Sequence, residues 1–218
     1  KSDVLSSGSR NSIEERNNIE IKEIDGIKYT LLAYTTTTNG IKSNNSYYVN
    51  IYDEEQVKED IEQVRDKVDL LLVSMHWGEE YSFEVTEEQE EIANYLSSLG
   101  VNIIIGHHPH VVEPIDYIDD TLVIYSLGNF LSGQEGIERR IGLMVSVEIE
   151  KQDNQLIIGN PTATLTYTNY DNGNVKSNFK VYPFNKVNNS ILPGYQSYYE
   201  EYMEIITSRS GKVIKAPI

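Results

Sequence analysis

Cysteine is absent from the 218 residues, which excludes a disulfide framework, a thiolate metal site and a cysteine nucleophile. Long hydrophobic runs are missing too. The most apolar stretches, 68–75 and 101–105, are strand-sized, far short of the roughly 18 residues a membrane span requires. Bases are scarce: 18 Lys and Arg stand against 34 Asp and Glu, for a net charge of −16. That charge repels phosphate backbones and anionic lipid, so generic nucleic-acid or anionic-membrane binding is not expected. The shortage is uneven. Residues 1–150 carry 29 acids and 11 bases, whereas 151–218 carry 5 acids and 7 bases, and no Lys or Arg lies between Lys67 and Arg139. An anion held within that stretch needs another neutralising group, of which a metal ion is the obvious one. The plain alternative is a solvated acidic face that keeps the protein soluble.

The hydrophobic fraction of 39% is ordinary for a globular chain, and the length allows a full core in one large domain or two small ones. Ser12 heads a capping-box pattern, and Asp25-Gly26 between two apolar runs reads as a hairpin turn. Residues 35–46 read as a loop. Asp53 caps a predicted helix reaching about residue 67, with Val57, Ile61, Val64 and Val68 at helical spacing. A buried strand over 69–75 follows, then a loop over 77–85. Thr86 and Gln89 open a second helix, which ends at Gly100. A second buried strand covers 101–105, and further strands cover 111–117 and 121–126. Such alternation predicts an α/β fold with a parallel sheet, whose ligands gather at strand C-terminal ends. After residue 141 the pattern turns to short strands, over 143–149, 156–158, 162–168 and 179–182, with a terminal helix over 196–209. The reading therefore divides the chain into 1–150 and a β-rich region, 151–218, that completes or extends the same domain.

All four histidines, His76, His107, His108 and His110, fall where the two buried strands end. Imidazole is the commonest metal ligand. His108-Pro109-His110 on a non-helical backbone turns two rings toward one centre, and His76 adds a third from the neighbouring strand. The competing role for a loop histidine is to satisfy local backbone groups. Four in two strand-end loops favour a metal, with zinc, manganese or iron suited to imidazoles. Glu79, Glu80 and Glu113 are nearby carboxylates, each equally at home in a solvated loop. Trp77 either walls the site or packs. Asn129 either ligates or binds substrate, or else belongs to a tight turn anchored in the core by Phe130.

The segments HWGEEY (76–81), GHHPHVVEP (106–114) and YSLGNF (125–130) together resemble the bacterial capsule-synthesis family, CapA-like, associated with poly-γ-glutamate. GSRNSIEERN (8–17) and IDGIKYTLLAYT (24–35) extend the resemblance over residues 5–165. The family is similar to calcineurin-like metallophosphoesterases. It therefore implies a partial sandwich of β-sheets flanked by helices, with a two-metal site at strand ends. By this resemblance His76, His108 and His110 are the metal ligands and His107 is an extra. His107, Glu80 and Asn129 are read as residues that contact substrate or support the ligands. The metal is expected to be Mn, Zn or Fe.

Three motifs of the family do not occur here: a Gly-Asp strand end, an Asn-Leu-Glu turn and an Asn-His-x-x-Asp segment. The chain also opens on Lys1 rather than Met, as a processed or truncated start does. The resemblance thus implies the C-terminal portion of a longer protein, with weak or no metal binding and little catalysis by this portion alone. Two functions remain open. One is a metal-dependent hydrolase or transferase in poly-γ-glutamate capsule synthesis. The other is a noncatalytic surface protein that binds, retains or exports the polymer. The expected partners are the polymer or other capsule machinery, with no nucleic acid. The expected location is the extracellular side of the bacterial membrane, held there only through an upstream segment. Because the strands over 69–75 and 101–105 are too apolar for a free edge, self-association is expected unless the chain covers them itself.

Overall fold

The structure, a computed structural model, describes residues 4–42, 44–153 and 155–218. Ser43, inside the loop expected over 35–46, lies outside the described residues. A short helix, α1 (Ile13–Asn17), starts at Ser12, whose side chain accepts from the Glu15 N–H. β1 (Lys22–Ile24) and β2 (Ile27–Thr35) form the predicted hairpin. Asp25 and Gly26 both have positive φ, 50° and 78°, as a type I′ turn requires. α2 (Glu54–Val64), capped by Asp53, leads into β3 (Leu70–His76). α3 (Glu87–Ser98), with both halves of its Thr86–Gln89 capping box formed, leads into β4 (Ile103–His107). β5 (Ile115–Ile118) and β6 (Thr121–Ile124) then pair as a hairpin.

These strands make one six-stranded sheet in the order β1-β2-β3-β4-β6-β5. β2, β3, β4 and β6 are parallel, and an antiparallel partner closes each edge. α2 and α3 supply the crossovers that parallel strands need and cover one face. There Val57, Ile61, Val64, Ile92 and Leu96 pack on Leu71, Val73, Met75 and Ile104, all buried. Burial of each such side chain contributes about 1.5–3 kcal/mol relative to exposure.

The other face, which includes Leu70, Ile103 and Ile124, packs on the C-terminal part of the chain. That part supplies β7 (Ile141–Ser146), a β8 (Ile149–Gln152) and β9 (Gln155–Ile158) hairpin, β10 (Thr162–Asn172) and β11 (Lys176–Pro183). α4 (Tyr195–Thr207) and β12 (Ile214–Lys215) complete it. β10 is the spine of this second sheet, pairing with β7, β11 and β12. Leu143, Leu165, Phe184, Met203 and Ile206 carry the shared core across residue 150. The architecture is α/β: helices, a mainly parallel sheet, then a second sheet with a helix. Among the described residues no helix is long and apolar enough to cross a membrane.

Several expectations shift. β4 begins two residues later than predicted because Asn102 caps its start, its Oδ1 accepting from the Leu71 N–H at 2.8 Å and from Arg65 at 3.0 Å. The strand expected over 111–117 contracts to Ile115–Ile118, preceded by a single bridge from Val112 to Leu127. Pro114 has no N–H to continue the ladder. The apolar strands β3 and β4 are interior, flanked by β2 and β6, so the chain covers them itself.

One buried ion pair holds α1 to α2. Arg16 meets Asp60 through two bonds of 2.6 and 2.7 Å, and the Tyr34 hydroxyl donates to the same carboxylate at 2.7 Å. Burial and the Asp60 charge push the Tyr34 phenol far above its ordinary value. Asp60→Ala leaves the Arg16 charge buried without its partner, and is expected to cost about 3–5 kcal/mol, read by urea unfolding.

Candidate functional site

Thr35, His76 and His107 stand in one row, because β2, β3 and β4 pair in parallel with these residues in register. The Thr35 hydroxyl proton goes to the Thr37 carbonyl at 2.6 Å. Its oxygen, 2.8 Å from His76 Nδ1, must then accept from that nitrogen, since a hydroxyl has one proton. His76 therefore carries its proton on Nδ1 and keeps the Nε2 lone pair free. His110 is fixed by the same logic. Asn129 donates through Nδ2 to Gln134 Oε1 (2.9 Å) and to the Arg139 carbonyl (3.0 Å). Its Oδ1, 2.9 Å from His110 Nδ1, accepts the imidazole proton. Metal-binding histidines are held this way, with the non-ligating N–H donated to a fixed acceptor.

His108 lies beside His76, ring centroids 4.3 Å apart, and 6.2 Å from His110. Burial first, and the neighbouring imidazoles of His108, His107 and His110 next, hold the His76 pKa below its ordinary value, so the ring is neutral near pH 7. His108 and His110 have φ of 103° and 61°, conformations that cost non-glycine residues energy and gather at functional sites. The Tyr81 N–H donates to the Pro109 carbonyl at 2.7 Å and ties the loop after β3 to the loop after β4.

Close packing beneath these loops sets their height. Gly106 has no room for a side chain, because a Cβ would sit 1.8 Å from the Tyr125 carbonyl oxygen. The Trp77 indole N–H donates to that oxygen at 2.9 Å, and its ring stacks on Tyr125 at 5.9 Å. Trp77 is fully buried, so it packs under the site. Gln89 joins three segments. It closes the α3 cap and donates to Glu113 Oε2 at 2.7 Å, and its side chain lies against Gly78.

The predicted residues thus divide. His76, His108, His110 and Asn129 gather at one sheet edge. His107, its pKa lowered by burial, takes no part in these ring contacts and lines an apolar cavity of about 440 Å³ with Ile105, Leu127, Phe130 and Leu143. Glu79 and Glu80 are exposed. Glu113 is fully buried on Gln89. Phe130 is 60% exposed and does not anchor its turn; Ser126 does so, through a hydroxyl bond to the Val111 carbonyl. Among the described residues no group of three or more His, Asp or Glu side chains is arranged to hold a metal ion. The free Nε2 donors suit a divalent ion, but the carboxylates that bridge two ions are not beside them. Sequence reasoning missed Thr35, Tyr81, Gln89 and Arg139 as parts of the site. Only Tyr81 carried a signal, its place in HWGEEY.

Burial lifts the Glu113 carboxyl to about 8, against the smaller opposing effects of Gln89 and Arg209. A carboxyl whose folded pKa exceeds its unfolded one stabilises the fold fully below the unfolded value, about 4.5. That contribution is lost as pH rises toward 8. Glu113→Gln cannot ionise. Its stability relative to the native chain should therefore increase between pH 5 and pH 8, by on the order of 3–5 kcal/mol, in urea unfolding at the two pH values.

Residues 1–134, which contain all three motifs, match the family described as Bacterial capsule synthesis protein PGA_cap. The chain is 30% identical over 151 residues to the PGA biosynthesis protein CapA of Bacillus subtilis (strain 168), covering 68% of this chain and 40% of that protein. It is 29% identical over 133 residues to the capsule biosynthesis protein CapA of Bacillus anthracis, covering 58% of this chain and 32% of that one. The chain therefore spans well under half the length of either relative. A solved structure of Thermus thermophilus sulfate thiohydrolase SoxB in complex with glycerol is similar over 84% of this chain and 29% of its own, at 10% identity and a TM-score of 0.42. On the match over 1–134, the chain belongs to the bacterial capsule synthesis protein family PGA_cap.

Proposed function

We propose that the protein acts in synthesis of a poly-γ-glutamate capsule, and that His76, His108 and His110, which lie side by side but must turn their rings to reach a common centre, bind a divalent metal ion for a hydrolase or transferase step on the polymer. The observation that carries the metal reading is the pair of fixed tautomers. Thr35 and Asn129 hold the Nδ1 protons of His76 and His110, so both rings offer Nε2. The capsule reading draws on the names of the Bacillus relatives. A bound divalent ion supplies Lewis acidity and a metal-bound water of lowered pKa. A bridged pair of ions requires further carboxylates, so the proposal gives this chain one ion, weakly held. It places the site on the extracellular side of the membrane.

Calorimetric titration with Zn²⁺ or Mn²⁺ at pH 7.5 is expected to give one weak site. Binding should fade on acidification, because a protonated imidazole cannot ligate a metal ion. Thr35→Val and Asn129→Ala should each weaken it about 10- to 100-fold. Two tightly bound ions per chain would contradict the proposal.

Catalysis is tested with γ-glutamyl amide, phosphoester and transfer substrates, on the 218-residue chain and on protein made at the length of its relatives. Metal-dependent turnover at the longer length, abolished by His108→Ala, is expected. Turnover that survives the substitution removes the histidine site from the chemistry. Polymer binding with no turnover at either length points to retention or export instead.

A further inference from the structure

Two adjacent arginines are used differently. Arg140 is committed to the fold. Its Nε donates to the Thr168 carbonyl (2.8 Å) and its Nη2 to Asn169 Oδ1 (3.2 Å), and its guanidinium lies over Tyr167 and Tyr170. Arg139 instead lies on Tyr81, its Cζ 3.9 Å from the ring centroid. Tyr81 stacks on His110, with centroids 5.9 Å apart. The Arg139 carbonyl is also held by Asn129, the residue that orients His110. The first base after Lys67 is thereby delivered to the histidine cluster by both its backbone and its side chain.

Among the described residues the terminal Nη atoms of Arg139 make no hydrogen bond. Its ionic neighbour is Glu138, with Oε1 3.4 Å from Nε, and that contact lacks hydrogen-bond alignment, since the buried Nε is left unpartnered. The side chain remains 31% exposed. A guanidinium is planar and presents its N–H groups as a fork that matches the two oxygens of a carboxylate, and stacking on an aromatic face leaves such N–H groups to bind elsewhere. In a protein of net charge −16 an acidic polymer is repelled overall, so it can be held only by a local cation.

We propose that Arg139, stacked on Tyr81, is the carboxylate-binding residue of the histidine site and grips a side-chain carboxylate of a glutamyl polymer beside His110. The identity of the polymer rests on the capsule reading above; the anion site itself rests on the geometry.

The test is calorimetric binding to the 218-residue chain of three probes: a γ-linked glutamate oligomer, glutarate and inorganic phosphate. Circular dichroism melting establishes that each variant is folded. The oligomer and glutarate should bind, and Arg139→Ala should weaken both tenfold or more. Arg139→Lys, which keeps the charge but not the fork, and Tyr81→Leu, which removes the platform, should fall between. Oligomer binding that is unchanged in Arg139→Ala overturns the proposal and leaves the capsule reading standing. If Arg139→Ala does not fold, unchanged binding in both Arg139→Lys and Tyr81→Leu overturns it equally. Arg139-dependent glutarate binding without oligomer binding keeps the carboxylate site and removes the polymer. No binding of either carboxylate probe by the native chain, or tighter binding of phosphate, overturns the proposal.

Discussion

Parallel pairing of β2, β3 and β4 in a single register decides where the histidine cluster of this protein sits. Parallel strands end on one edge, so residues 41 and 31 positions apart in the chain become lateral neighbours as Thr35, His76 and His107. A slip of one residue would send His76 to the opposite face, because strand side chains alternate with period two. The register is enforced by burial on both sides. Leu71, Val73 and Met75 belong to the core under α2 and α3, whereas Leu70 and Leu72 pack with the core shared with the second sheet. The site is thus a consequence of core packing, and its first support, the Thr35–His76 contact, comes from the strand pairing itself.

Beneath the loops that follow that row, close packing holds the chain in place. Gly106 admits the Tyr125 carbonyl where a side chain would otherwise stand, and Trp77 binds the same carbonyl. Gln89 satisfies the α3 cap and reaches Glu113. Glu113 Oε1 has no hydrogen-bond partner, which is costly for a buried polar atom; holding the carboxyl protonated lowers that cost relative to a buried charge. The energetically costly backbone of His108 and His110 sits on this rigid base, which holds it in place.

Much of the site was legible in the sequence because it is encoded locally. Histidines at the ends of apolar runs, a Thr–Gln capping box and an Asp-Gly turn all act over a few residues. They were read with the right element types and with boundaries off by one to three residues. The Asn129 role was narrowed but not decided, since its partner His110 lies 19 residues away. The Phe130 expectation failed because turn residues following a buried strand need not point inward, and here the Ser126 hydroxyl does the anchoring.

By itself the sequence determined the alternation of helices and strands, the strand-end placement of all four histidines and the excess of acid in the first 150 residues. These follow from hydrophobic period, capping chemistry and composition, which are local or additive. Only the tertiary structure decided which histidine faces which neighbour, that Thr35 and Asn129 fix two tautomers, and that Glu113 is sealed away on Gln89 while Glu80 stays in solvent. It alone brings Arg139 onto Tyr81, 58 positions earlier in the chain. Those outcomes depend on distances between segments far apart in sequence, which are set by how two sheets and their helices pack and not by any local pattern.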